Sequence, residues 1–547
     1  MSPRTFAPRI LVTLLALAPV ACSQAAGDDT STTDNHLTGV NSAARNIHFQ
    51  SYVYVPTSAS DSDIKTAIAR QVKTAIGALR DPEVSLNDRD AQNNLDPSTW
   101  QRQTVTVVDP ANASSPTSQL VRVTYPYNDV AVVTNKLRST SAVSFTMLAD
   151  DYSQHSSALI QTCSDDTTTD TDSLWYHYTP TMSTCASQIQ AEITAIQTER
   201  IALGSDASKV GPRESARWFM PVVAKLDAPQ LPNKSYSPEY DRLYGVGNDK
   251  SQLLVYAFFG VDTDETNPDD ILGQEAINFL REMLTAQPNF RPVATNPSAM
   301  LEDIYVEGQK IPNVSYAQMF SWILDKTNYP AAVGSDANKI QELRKAAMAM
   351  FTERSISWDL PVTVNDSHGG SKNITIEVRT FYGYEDGSAD ARQHAQWRYL
   401  EAFWYGDVFL YNGHSHFGHG PLEPFLYGVQ NFNDRYQIML VNSCISYNYY
   451  HEDFFSMKPG GSKNLDMVLN GLPAYVNGMG VATARFLDSL IDGKQHSYLD
   501  LLKSMEINEP WGETNYDPMR IVDGELDNQF SQAATPLTTI VNAPVYP

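Results

Sequence analysis

Along NIHFQSYVYV (46–55) apolar and polar residues alternate, so Ile47, Phe49, Val53 and Val55 fall on one face of a strand. After a polar turn, Ile64, Ile68, Val72, Ile76 and Leu79 recur at helical spacing. That stripe predicts a helix capped by Ser60 or Asp61 and ended at Pro82. TVTVVD (104–109), LVRVTYPY (120–127) and AVSFTMLAD (142–150) predict further strands, and a helical segment follows near 186–203. Residues 46–208 thus read as a small α+β domain with no constellation of reactive side chains.

From about 214 the pattern changes. FMPVVAKL (219–226), LLVYAFFGV (253–261), ITIEVRTFYG (374–383), DVFLYNG (407–413) and YQIMLVNS (436–443) are nearly continuous apolar runs. They alternate with helical stretches at 269–285 and 389–404. Strands of this kind belong to a mainly parallel sheet covered on both faces, an α/β fold. Two amphipathic helices follow, one over 481–493 and one marked by Tyr498, Leu501, Leu502 and Met505. The predicted second domain spans 209–510, and residues 511–547, rich in Asn, Pro and Thr, read as a surface tail.

The first 21 residues hold Arg4, Arg9, an apolar run from Ile10 to Ala18 and then small residues before Cys22. This predicts a secretory leader, excluded from the fold and too short to span a bilayer comfortably. A cysteine at the cleavage point resembles the lipobox of bacterial lipoproteins, with Pro19 where leucine is usual. The resemblance implies acylation of Cys22, a flexible tether over 22–45, and a place in the bacterial cell envelope; the alternative is plain secretion. Composition is globular, with 42% hydrophobic and 19% charged residues. Formal charge is −24, and the leader has two arginines and no acid, so its removal gives −26. Such a surface repels phosphate backbones and anionic lipid, which excludes nucleic acid as an expected partner and leaves the acyl group as the only membrane contact.

Four cysteines sharpen the picture. With Cys22 acylated, Cys163, Cys185 and Cys444 remain in an oxidising compartment, and three cannot all pair. Cys163 and Cys185 bracket a polar loop whose closure contributes about 3 kcal/mol, so a disulfide is expected there. Cys444 is then a lone thiol just past the apolar run QIMLVNS. VFLYNGHSHFGHG (408–420) gathers His414, His416 and His419 at the end of another apolar run. In open α/β sheets such strand ends carry the site. A histidine and a cysteine there can act as base and nucleophile, flanked by backbone N–H groups for an oxyanion.

These two segments resemble the caspase-like cysteine peptidases (caspases, gingipains, clostripain, separases). That family places a His, normally followed by Gly, after one parallel strand and a Cys after the next. The resemblance covers about 250–507 and extends to NLDMVLNGLPAYVNG and ARFLDSLIDGK downstream. It implies His414 as base, Cys444 as nucleophile, the N–H groups of Ser415 and Cys444 as oxyanion donors, a peptide or protein substrate, and no required cofactor. Ser415 departs from the usual glycine, and a positive φ there would strain it. A literal His-Gly occurs at His419–Gly420, so His419 is the second candidate base and His416 a pocket wall. Glu452 and Asp453 could line a substrate pocket and favour basic side chains.

Two other readings remain. NGHSH also resembles the histidine signature of the metallophosphoesterases, with Asp366-Ser367-His368 as a possible first metal motif, but no G-N-H occurs and Gly406-Asp407 lies close before the histidines. His414, His416 and His419 could alternatively bind one metal. The third reading, favoured by Ser415, is a catalytically inactive binding lipoprotein. No P-loop, no strand followed by G-x-G-x-x-G and no G-x-S-x-G is present.

Overall fold

The computed structural model describes residues 37–540 apart from 93, 113, 167, 230–235, 294–300, 355–356, 366–369, 384–388, 507–517 and 533–536. The leader, Cys22, the tether up to residue 36 and the Asp366-Ser367-His368 motif therefore lie outside the described residues.

Strands β1 (Ser42–Pro56) and β2 (Ser118–Thr134) pair antiparallel along their length, from Ser42 opposite Thr134 to Pro56 opposite Leu120. Alternation buries Ile47, Phe49, Val53 and Val55, the face read from sequence. Helix α1 (Asp61–Ala78) lays Ile64, Ile68, Val72 and Ile76 on that face. A capping box begins it: the Ser60 hydroxyl accepts from the Asp63 amide, and the Asp63 carboxylate accepts from Ser60 N–H.

The run 219–226 departs from expectation. Strand β3 (Phe219–Leu226) pairs antiparallel with Ala142–Leu148 and touches β1 at Ile47–Leu226. It belongs to this sheet, which has seven strands among the described residues, and not to the parallel one. Its burial alternates, and Val223 is 68% exposed. Only one face is covered, as in an antiparallel strand open to water. The break expected at 209 is therefore crossed by the sheet, and one core holds Phe49 and Cys163 together with Phe258 and Tyr411.

Among the described residues the second sheet has ten strands. Its centre is parallel: β4 (Gln252–Phe259), β5 (Ser371–Tyr382), β6 (Val408–Asn412), β7 (Gln437–Asn442) and β8 (Leu465–Asn470) stand in the order β5-β4-β6-β7-β8. Antiparallel strands flank it, Ser357–Asn365 beside β5 and β9 (Arg520–Asp523) beside β8. The sheet is thus mixed, with a parallel middle. Alternate residues serve opposite faces. Tyr256, Phe258, Phe409 and Tyr411 join the core shared with the first sheet, whereas Val255, Ala257, Val408 and Leu410 meet helices α2 (Ile271–Ala286) and, beyond the strands, α4 (Met479–Ile491). Coverage of both faces is why these strands read as unbroken apolar runs. Helix α3 (Ser446–Met457) connects β7 to β8.

Two boundary expectations are corrected. Residues 38–45, assigned to the tether, form the short strand Thr38–Gly39 and the start of β1. The tail is not a surface wrap: β9 inserts between β8 and Thr38–Gly39 with Ile521 and Val522 buried, and Thr538–Ile540 pairs with Ser357–Asn365. A helix at Ala337–Arg354 and a hairpin of Leu301–Val306 with Gln309–Ser315 had no counterpart in the sequence reading. Among the described residues no helix is long and apolar enough to cross a membrane.

Candidate active site

Chain order along the parallel strands is second, first, third, fourth, fifth, so it reverses at β4, and the crevice beyond the carboxyl ends of β4 and β6 is where such sheets bind ligands. A cleft of about 790 Å³ opens there. His414, Ser415, His416 and Phe417 line it from the β6 end, Cys444 from the β7 end, and Val261 to Glu265 from the β4 end. Tyr176 and His177, from the segment between Cys163 and Cys185, complete the wall. That segment is closed by the expected disulfide, and Cys444 is a free thiol.

The histidine loop is fixed by hydrogen bonds to its backbone. Tyr411 Oη donates to the His414 carbonyl at 2.7 Å and Tyr450 Oη to the Ser415 carbonyl at 2.5 Å. Ser415 has φ −81°, in the right-handed region, so the strain expected of a serine at that position does not arise. Positive φ falls instead on His416 (47°), Phe417 (56°) and Gly418 (80°). The Phe417 ring compensates by packing on Trp175 and Tyr176 at centroid distances of 5.7 and 5.1 Å.

His414 has an acidic neighbour. Its Nε2 lies 3.7 Å from Asp262 Oδ1, with the two side chains 45% and 38% exposed. Asp262 is held from below by Asp270, the N-cap of α2. One Asp270 oxygen accepts from the amides of Asp262 (3.0 Å) and Thr263 (2.7 Å), and the other from Gly273 N–H (2.9 Å). A carboxylate at that distance faces the imidazole and can bias its orientation.

Cys444 follows β7 and precedes α3, whose N-cap Ile445 adopts φ 49°. Its thiol donates to the Ala474 carbonyl at 3.5 Å, and Tyr176 lines the same cleft. Burial pushes the thiol pKa up, partly offset by the contacts with Ala474, Tyr176 and Arg80. Beneath the cleft, Asn412, Asn442 and Asn470 end β6, β7 and β8 and form a buried ladder. Thr483 Oγ1 donates to Asn412 Oδ1 (2.6 Å), Asn442 Nδ2 to the same oxygen (3.2 Å), and Asn470 Nδ2 to Asn442 Oδ1 (3.0 Å).

Other predicted site residues stand apart. His419 is 64% exposed beside Glu423 and does not line the cleft. The three histidines therefore do not share one metal position, and among the described residues no group of three or more His, Cys, Asp and Glu is arranged to hold a metal. Glu452 and Asp453 do not line the cleft either. Glu452 accepts from Asn87 Nδ2 at 2.8 Å, and Asp453 lies 3.3 Å from Arg89, so both tie α3 to the first sheet. Asp262, Tyr176, His177 and the asparagine ladder were not singled out from sequence. Asp262 carried a usable signal, an acid just past an apolar strand, and so did the ladder, three strands each ending in Asn. Tyr176 and His177 carried none, because only folding brings their loop to the sheet edge. No protein-family model, no curated protein and no solved structure matches this chain.

Proposed function

We propose that this chain is a cysteine endopeptidase of the caspase-like type, exported and held in the cell envelope through an acylated Cys22. The observation that carries the reading is that His414 and Cys444, from the ends of adjacent parallel strands, line one cleft at the point where strand order reverses. A His after the third parallel strand and a Cys after the fourth agree with the family pattern of base and nucleophile on successive strands.

In this mechanism His414 takes the Cys444 proton, and the thiolate attacks the carbonyl carbon of a bound peptide. The N–H groups of Ser415 and Cys444 receive the oxyanion. As the intermediate collapses, His414 returns the proton to the departing amine, leaving a thioester on Cys444. Water then attacks that thioester, with His414 as base, releasing the acid and the free thiol. Asp262 faces the imidazole and biases its orientation. The step uses no metal or organic cofactor.

Alkylation, Cys444→Ala and His414→Ala should each abolish peptide hydrolysis, with losses of three or more orders of magnitude of about the same size because the pair acts as a unit. His416→Ala should be far milder, and EDTA harmless. A hydrolase that EDTA abolishes and Cys444→Ala leaves intact would refute the assignment in favour of a metal enzyme built on His414 and His416, whose rings stand 5.9 Å apart in the cleft. A chain without hydrolytic activity would leave the binding-lipoprotein reading, which the raised pKa of the half-buried thiol favours.

A further inference from the structure

The helix Ala389–Tyr405 leads through Gly406 and Asp407 into β6 and is apolar on two faces. Tyr399, Ala402 and Phe403 are buried, with rings packed on Phe258, Phe409 and Tyr427. Trp397, Trp404 and Tyr405 fall on the outward face and are 66%, 44% and 53% exposed. The loop before β7 extends that surface with Phe425, Leu426 and Val429, each more than half exposed. Helix end and loop are bound together. Asn433 Nδ2 donates to the Phe403 and Trp404 carbonyls at 2.8 and 2.9 Å, and Arg435 Nη2 to those of Trp404 and Tyr405 at 3.1 and 3.2 Å. Large apolar side chains gathered on joined elements mark a contact surface, unlike singly scattered ones.

The place of this face in the fold says what it meets. Trp404 and Tyr405 immediately precede β6, so they lie at the amino ends of the parallel strands, opposite the cleft at the carboxyl ends. The described chain enters from that same end. Thr38 pairs with Val522 and Val522 with Val468, so Thr38–Gly39 runs in the direction of β8 and Leu37 precedes it on the amino side. Four strand spacings, about 19 Å, separate Thr38–Gly39 from β6. Cys22 is fifteen positions before Leu37, and an extended chain of that length spans up to about 50 Å.

We propose that this aromatic face docks on the surface of a zwitterionic lipid bilayer, with the cleft directed away from it. The anchoring reading enters only as the means by which the chain reaches the bilayer. Tryptophan and tyrosine rings favour the headgroup level, where an apolar body and a polar edge are both satisfied. Charge selects the lipid. In a chain of net charge −24, this face sets exposed Asp434 beside exposed Arg435, and Glu401 against Arg379 at 2.5 Å. Acids and bases therefore balance here, which favours headgroups that carry both charges, whereas the rest of the chain repels anionic ones.

The test uses the mature chain with Cys22→Ser, which cannot be acylated, and phosphatidylcholine vesicles, some brominated in their acyl chains. The chain should sediment with the vesicles, and brominated lipid should quench tryptophan emission, less so in Trp404→Phe. Trp404→Ser, and Phe425→Ser with Leu426→Ser, should each lower the partition coefficient roughly fivefold or more. Their Tm should stay within about two degrees, because these side chains are exposed. Iodoacetamide should modify Cys444 at the same rate with and without vesicles. Absence of binding, binding that the variants leave unchanged, or vesicles that shield Cys444 would each overturn the proposal. A dimer that Trp404→Ser abolishes, in a chain indifferent to vesicles, would overturn it in favour of a second copy. No acyl group takes part, so failure of the acylation reading, tested by fatty-acid labelling of the unaltered chain, is a separate result.

Discussion

Ser415 is the residue at which the resemblance to caspase-like peptidases departs from pattern, and its consequence is decided by one torsion. At φ −81° a serine is as comfortable as a glycine and still offers its N–H. The left-handed torsions have moved to His416 and Phe417, where the aromatic contacts of Phe417 offset their cost. Ser415→Gly should therefore neither rescue nor harm the enzyme, changing kcat/KM by less than about twofold and lowering Tm slightly through added chain entropy in the unfolded state. A large gain in activity on that substitution would show that the serine is a defect in the site. His414 is likewise defined by its surroundings, since among the clustered histidines it is the one with Asp262 at 3.7 Å.

At the scale of elements, the site depends on how closely α1 approaches the disulfide-closed segment. A Cβ on Gly77 would meet the backbone carbonyl oxygens of Trp175, Tyr178 and Tyr176 at 2.5, 2.8 and 2.9 Å. Backbone atoms cannot rotate away, so the segment itself would have to move. Intrinsic propensity favours alanine in a helix by about 1 kcal/mol, but the clash opposes it and should win. Gly77→Ala is expected to lower Tm, measured by thermal unfolding. A rise in Tm would mean that the contact yields more easily than its geometry implies. The asparagine ladder acts at the same scale. By bonding the ends of β6, β7 and β8 to one another, it fixes the relative heights from which His414 and Cys444 depart.

For the whole molecule, a carboxyl buried where Asn528 of the C-terminal region meets the large sheet sets a pH dependence. Asp466 of β8 is fully buried and accepts from Tyr436 (2.5 Å), Tyr498 (2.6 Å) and Asn528 (2.6 Å). Burial pushes its pKa up to about 7, the three hydrogen bonds notwithstanding. In the unfolded chain an aspartate titrates near 3.9. Between those values the folded state holds a proton that the unfolded state has released, so stability falls as pH rises through that window, by up to about 1.4 kcal/mol per pH unit. Asp129, raised to about 7 in the first sheet, acts with the same sign, whereas Lys458, lowered to about 7, acts only at higher pH. Tm should thus be higher at pH 5 than at pH 7.5, and Asp466→Asn should flatten the difference. If Asp466→Asn leaves the pH slope unchanged, the proton resides elsewhere.

Much of this architecture was legible without coordinates, for reasons that are local. Period-two and period-3.6 patterns report which face is buried, so β1, α1 and the apolar strands carrying His414 and Cys444 appear in the sequence as they appear in the fold. Loop closure by two cysteines around a polar segment is similarly local, and the Cys163–Cys185 pairing follows from it. Partnership between distant segments is not local. The same alternation fits a strand in either sheet, so it does not tell that β3 pairs with Ala142–Leu148, and a polar tail gives no sign that Ile521 and Val522 are buried against β8. The site divides in the same way. Strand ends placed His414 and Cys444 at one sheet edge. Only tertiary packing excluded His419, Glu452 and Asp453 from the cleft and brought Asp262, Tyr176 and His177 into it. Spacing along a strand fixes direction and face, but which side chains converge on a cleft depends on contacts between elements that the chain separates by hundreds of residues.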